Sequence, residues 1–135
     1  MESLAAVVNT GSPAELASYY NQKGVLKLFA GNPGPAKRDF VSAINADPYY
    51  PDPYLNLAFA LRALGEDEAA LSVCRAAEEK CRPGARGGGD PEAVLAKLLK
   101  CQEISLNSLG RKAAAGAIAA RRSALEDKTA AELLK

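Results

Sequence analysis

Along almost the whole chain, apolar residues recur at helical rather than alternating spacing, and turn signals divide them into six runs. Ser12-Pro13-Ala14-Glu15 reads as a capping box with proline at the first helical position, so a helix is predicted to start there and run to Gly31. Asn32-Pro33 is a second cap pair, opening a helix from about Gly34 to Ala46. Asp47-Pro48 ends it, because the residue before a proline is pushed out of the α region. Asp52-Pro53 opens a third helix, and Gly65 closes it as a left-handed residue. A fourth helix begins at Asp67 and Glu68 and ends near Arg82-Pro83. A fifth follows the Asp90-Pro91-Glu92 cap and reaches about Leu109. Gly110 ends it, and an alanine-rich sixth helix runs nearly to Lys135. No segment alternates with period two, so the predicted fold is all-α, built from successive helical hairpins.

A shift of 34 residues lays the first hairpin on the second. Tyr20 falls on Tyr54, Gly24 on Ala58, Gly31 on Gly65, Ala36 on Ala70, Phe40 on Cys74 and Ala43 on Ala77. Small residues meet small residues where helices must cross closely, and Tyr20, Tyr54 and Phe40 are the large knobs between them. Phe40 against Cys74 is the loosest match of the six.

This period and residue set resemble the tetratricopeptide repeat. The resemblance covers two repeats within residues 14–82 and implies a right-handed α-α superhelix of helical hairpins. Residues 1–13 form an N-terminal segment, 83–90 a glycine-rich linker, and 91–135 a divergent third repeat or capping pair. With Gly110 as the third turn glycine, Leu99 stands at the aromatic site and Glu103 at a small site. Ala115 and Ala119 fall where small residues belong, and Arg122 stands where alanine is usual.

The resemblance also implies a concave groove lined by the first helix of each pair. Its partner-binding residues would be Asn21, Val25, Phe29, Leu55, Asn56, Phe59, Arg62, Lys97 and Lys100, with Cys101 and Ile104 on the same inward face. Some members of the family hold a peptide's terminal carboxylates with Lys, Asn, Asn, Lys and Arg. Only Asn56 and Lys97 match that set by position, while Asn21, Val25 and Cys101 replace the others. A chaperone-tail receptor is therefore not expected. An apolar floor with a modest polar rim suits a partner helix or an extended segment instead.

Composition narrows the function further. The chain has 135 residues, 48% of them hydrophobic, which is enough for one globular domain. It holds 17 basic and 16 acidic residues and no histidine. The balance leaves no field to attract nucleic acid or an anionic membrane. Without histidine the commonest general base and metal ligand are missing, and every Asp and Glu fits a cap or an exposed helical face. The expectation is a non-enzymatic protein with no cofactor and no metal. Cys74, Cys81 and Cys101 are odd in number and lie at helical spacing, so reduced thiols in a cytoplasmic protein are expected. No stretch approaches the roughly 18 apolar residues of a membrane span.

Three other features are weighed and set aside. The tyrosines of NADPYYPDPY (45–54) could stack bases, but Asp47 and Asp52 would repel phosphate, and packing at a seam is the better account. The glycine loop at 84–90 lacks the GK[ST] ending of a phosphate cradle. The last helix carries Arg111, Lys112, Arg121 and Arg122, diluted by Glu126, Asp127 and Glu132, so nucleic-acid binding there is a lesser reading. The expected partner is another protein, with a homo-oligomer as the alternative.

Overall fold

The computed structural model describes residues 11–81 and 91–134. Residues 1–10, the end expected for the fourth helix at Arg82-Pro83, the glycine-rich linker and the Asp90 cap lie outside the described residues. Among those described there are six helices and no strand, so the fold is all-α. In chain order these are α1 (Pro13–Phe29), α2 (Pro33–Ala46), α3 (Pro51–Ala63), α4 (Asp67–Lys80), α5 (Pro91–Ser108) and α6 (Lys112–Leu133).

Three left-handed glycines turn the chain inside three hairpins: Gly31 at φ 84°, Gly65 at 79° and Gly110 at 74°. Around each, the same hydrogen bond closes the helix end, from the residue after the glycine back to the carbonyl five before it. These bonds join Asn32 to Lys27 (2.9 Å), Glu66 to Leu61 (2.8 Å) and Arg111 to Leu106 (2.9 Å). Each next helix then starts with a bond from an alanine, Ala36, Ala70 or Ala115, to the carbonyl of that same residue. All three alanines are buried. A methyl is the largest group that fits where the returning helix meets the one it has just left.

Successive helices pack against one another, and α3 also touches both α1 and α5. No two of α2, α4 and α6 approach at backbone level. The first helices of the hairpins thus form one layer and the second helices another. Phe40, Leu57, Leu61 and Cys74 fill the core of the first two hairpins. Tyr54, Ala77, Val94 and Leu98 fill the seam to the third, and Leu71, Leu106 and Ala115 pack beneath its turn.

The large-for-small exchange between hairpins has a steric cause. A β-carbon on Gly24 would stand 2.6 Å from Cε1 of Phe40, so the ring lies directly on the glycine. The second hairpin holds Ala58 and Cys74 at the corresponding positions, so the extra methyl on one helix goes with a smaller group on the other. In the third, Glu103 and Arg122 form an ion pair of 3.0 Å, both side chains partly buried. The residues that depart furthest from the repeat pattern are partners of each other.

The tyrosine and proline corner is a packed junction between the first two hairpins. Asp47 accepts a bond from the Tyr49 amide (3.2 Å), and the buried Tyr54 donates its hydroxyl to the Pro48 carbonyl (2.7 Å). The third helix begins at Pro51 with Tyr50 in the cap position, slightly earlier than Asp52-Pro53 predicted. Likewise the second begins at Pro33, and Asn32 sits at its cap without a side-chain hydrogen bond. Ser12 does cap the first helix, accepting from the Glu15 amide at 3.2 Å.

Candidate partner-binding cleft

The first-helix layer opens into a cleft of about 580 Å³ between α3 and α5, with α6 as its far wall. Four of its lining side chains follow from the helical period: Leu55, Asn56, Phe59 and Arg62 on α3 lie within two turns on one face. Lys97, Lys100, Cys101 and Ile104 do the same on α5, and Arg122 and Glu126 supply the wall. Six of the nine groove residues expected from the repeat register therefore converge on one cleft. Phe59 is 55% exposed and Ile104 38%, so the floor presents apolar surface to solvent.

The other three lie elsewhere. Asn21 is buried, and its side-chain carbonyl accepts a 2.9 Å hydrogen bond from the Asn56 amide across the α1–α3 seam. Val25 is half-buried against the core of the first two hairpins. Phe29, at the last position of α1, is 85% exposed but does not line the cleft. The register alone placed these residues on the inner face; contact with the neighbouring helix closes Asn21 and Val25 off.

Arg122 and Glu126 were missed as lining residues because they sit on the second helix of their hairpin. A signal existed: Arg122 stands where a small residue is usual, and a long cation there must reach for a partner. It bonds Glu103 on α5 and Glu126 one turn on (3.0 Å), which fixes both side chains at the cleft wall.

The cysteines require a correction. Cys74 on α4 and Cys101 on α5 are joined by a disulfide, with Cα atoms 6.4 Å apart and an S–S distance of 2.05 Å. Three reduced thiols were expected because the cysteines are odd in number and lie at helical rather than CxxC spacing. These two residues are 27 apart in sequence and face each other only once α5 packs on α4. Cys81 alone is free, and burial pushes its thiol up to about 11.

The electrostatics of the cleft are one-sided. Arg62 donates to the Cys101 sulfur at 3.0 Å and lies 6.0 Å from the Phe59 ring centroid. Burial holds its guanidinium below the usual value. Lys97 and Lys100 have no acidic partner among the described residues, and both are exposed. By contrast the arginines of the last hairpin are engaged: Arg111 with Glu68, Arg121 with Glu78 and Arg122 with Glu103.

A second groove, of about 300 Å³, runs between α2 and α4 over Tyr54 and Leu57, lined by Val41, Ile44, Ser72, Val73 and Ala76. No charged side chain lines it. No helix among the described residues is long and apolar enough to cross a membrane. No family model matches the chain, and no curated protein matches it.

Proposed function

We propose that the chain is a non-catalytic protein-interaction module of the tetratricopeptide type, which takes a helix or extended segment of another protein in the cleft between α3 and α5. The convergence of Leu55, Asn56, Phe59, Arg62, Lys97 and Lys100 on one opening carries this reading. They were selected on repeat register alone, and half-exposed Phe59 and Ile104 supply the apolar anchorage such a segment needs. The paired helix layers and the three identical turns support a repeat architecture. A right-handed superhelix is part of the proposal, and with three hairpins it would be short.

The alternative, a homo-oligomer, is favoured by one observation. Leu26 is 71% and Phe29 85% exposed, close together at the end of α1 and outside the cleft. Nucleic-acid binding through the last helix has less support, since Arg111, Arg121 and Arg122 are each held by a carboxylate. A cytoplasmic location belongs to the proposal, and the Cys74–Cys101 bridge counts against the reduced thiols on which that expectation rested.

The test is capture from a cell extract by the wild type and by Phe59→Asp with Ile104→Asp. Both positions are exposed, so helicity should persist. A carboxylate at Val25 would instead sit against the core and confuse unfolding with lost binding. Proteins held by the wild type and lost from the double variant support the cleft. An unchanged capture pattern contradicts it.

A further inference from the structure

We infer that the segment this cleft takes is acidic, carrying carboxylates beside its apolar anchors; this rests on the protein-binding reading above. Lys97 and Lys100 stand three residues apart on α5, hence on one helix face, and two like charges so placed repel each other. Arg62 faces them from α3. Around the cleft there are four cations and one carboxylate, and that carboxylate, Glu126, is already bonded to the fourth cation, Arg122. Lys97 and Lys100 are therefore left over an apolar floor of Leu55, Phe59 and Ile104, and Arg62, bonded to the Cys101 sulfur with Asp67 acting on it through space, adds a third positive group.

This charge is local. The chain as a whole carries a formal charge of only +1, and seven of its other cations, Lys23, Lys27, Lys37, Arg111, Arg121, Arg122 and Lys128, have carboxylate partners. A segment bearing only apolar side chains would cover Lys97 and Lys100 without compensating them. A basic one would add repulsion at close range. An acidic one supplies the missing partners and uses Phe59 and Ile104 for its apolar side chains. Arg62 contributes most per charge, because it is already partly withdrawn from water.

A protein segment fits better than a nucleic acid. Three cations make a small phosphate footprint, Phe59 is the only aromatic ring among the cleft's lining residues, and Glu126 would face a phosphate backbone. The chemistry recognised is a side-chain carboxylate next to a leucine-like side chain. It needs no chain terminus, since none of the three cations is confined in a closed pocket.

The test uses fluorescence anisotropy with short labelled peptides, blocked at both ends and equal in length, made of glutamate and leucine, glutamine and leucine, or lysine and leucine. A labelled single-stranded oligothymidylate is the fourth probe. The proteins are the full chain and its Lys97→Glu with Lys100→Glu variant, checked for unchanged helicity. The glutamate peptide should bind the wild type at least about tenfold more tightly than the glutamine peptide, a gap near 1.4 kcal/mol. The charge-reversed variant should lose it and gain the lysine peptide. Equal binding of glutamate and glutamine peptides would overturn the inference while leaving the cleft reading intact if Phe59→Asp with Ile104→Asp still abolishes both. Tighter binding of the oligothymidylate would overturn it in favour of nucleic acid. Binding of the glutamate peptide that survives both double variants would overturn the inference and the cleft together.

Discussion

Gly24 lies flat beneath the ring of Phe40, with no space between helices α1 and α2 for even one more carbon. Elsewhere in a helix interior, replacing glycine by alanine is favourable by about 1 kcal/mol through backbone entropy. Here the added methyl would meet Cε1 at 2.6 Å, Cδ1 at 2.8 Å and Cζ at 2.9 Å. Overpacking of this kind costs about 1–3 kcal/mol. Gly24→Ala should therefore lower the urea midpoint in the wild type and raise it in a Phe40→Ala background. A stabilising effect in both would show that the ring does not rest on the glycine.

The disulfide between α4 and α5 makes a count. Unfolded without reductant, the protein should show one titratable thiol, Cys81, and three after reduction. The loop it closes is worth about 3.5 kcal/mol by the chain-entropy relation, so reduction should lower the unfolding midpoint accordingly. Three thiols before reduction would contradict the bridge.

Glu78 ties three helices together, accepting from Gln102 of α5 at 2.8 Å and from Arg121 of α6 at 2.6 Å. The Arg121 contact, with help from Gln102, holds its carboxyl below the usual carboxylate range. The folded value is lower than the unfolded one, so this contribution is complete above the unfolded pKa and fades as pH falls through the folded one. Glu78→Ala leaves the Gln102 amide buried without that partner and should cost about 1–3 kcal/mol. Arg121→Ala removes a half-exposed cation and should cost about 0–1 kcal/mol. Equal losses in urea titrations would contradict this asymmetry.

Alkali should loosen the corner between the first and second hairpins. Burial, with the Asp52 carboxylate adding to it, pushes Tyr50 up to about 12. Burial also pushes Tyr54 up to about 12 and Cys81 up to about 11. Each folded value exceeds the unfolded one, so their contributions are intact below the unfolded pKa values and decline as pH rises through the folded values. Stability should begin to fall near pH 9, the ordinary value for Cys81, and phenolate absorbance for two of the five tyrosines should appear only with unfolding. Full phenolate titration at unchanged helicity would place Tyr50 and Tyr54 in solvent.

Helix order, the three turn glycines and the small-residue crossings were legible because local chemistry decides them: Pro at helix starts, positive φ at Gly31, Gly65 and Gly110, and no room at Ala36 or Ala70. Much of the cleft was legible because the resemblance to the repeat implied which face turns inward, and helical period puts Leu55, Phe59 and Arg62 together on that face. What escaped depends on which helices meet. The Cys74–Cys101 bridge, the Asn21–Asn56 bond and the reach of Arg122 to Glu103 span 27, 35 and 19 residues. No periodicity within one helix encodes such pairings. Departures from pattern stood at Cys74, Cys101, Asn21 and Arg122, but none of them named its partner.

The account turns on the cleft between α3 and α5 being where a partner segment lies. Backbone amide shifts recorded while the glutamate–leucine peptide is titrated into the full chain test this most directly. The largest changes should fall at Leu55, Phe59 and Arg62 on α3 and at Lys97, Lys100 and Ile104 on α5. Changes centred on Val41, Ile44 and Val73 in the opposite groove, or on Leu26 and Phe29 at the end of α1, would contradict it.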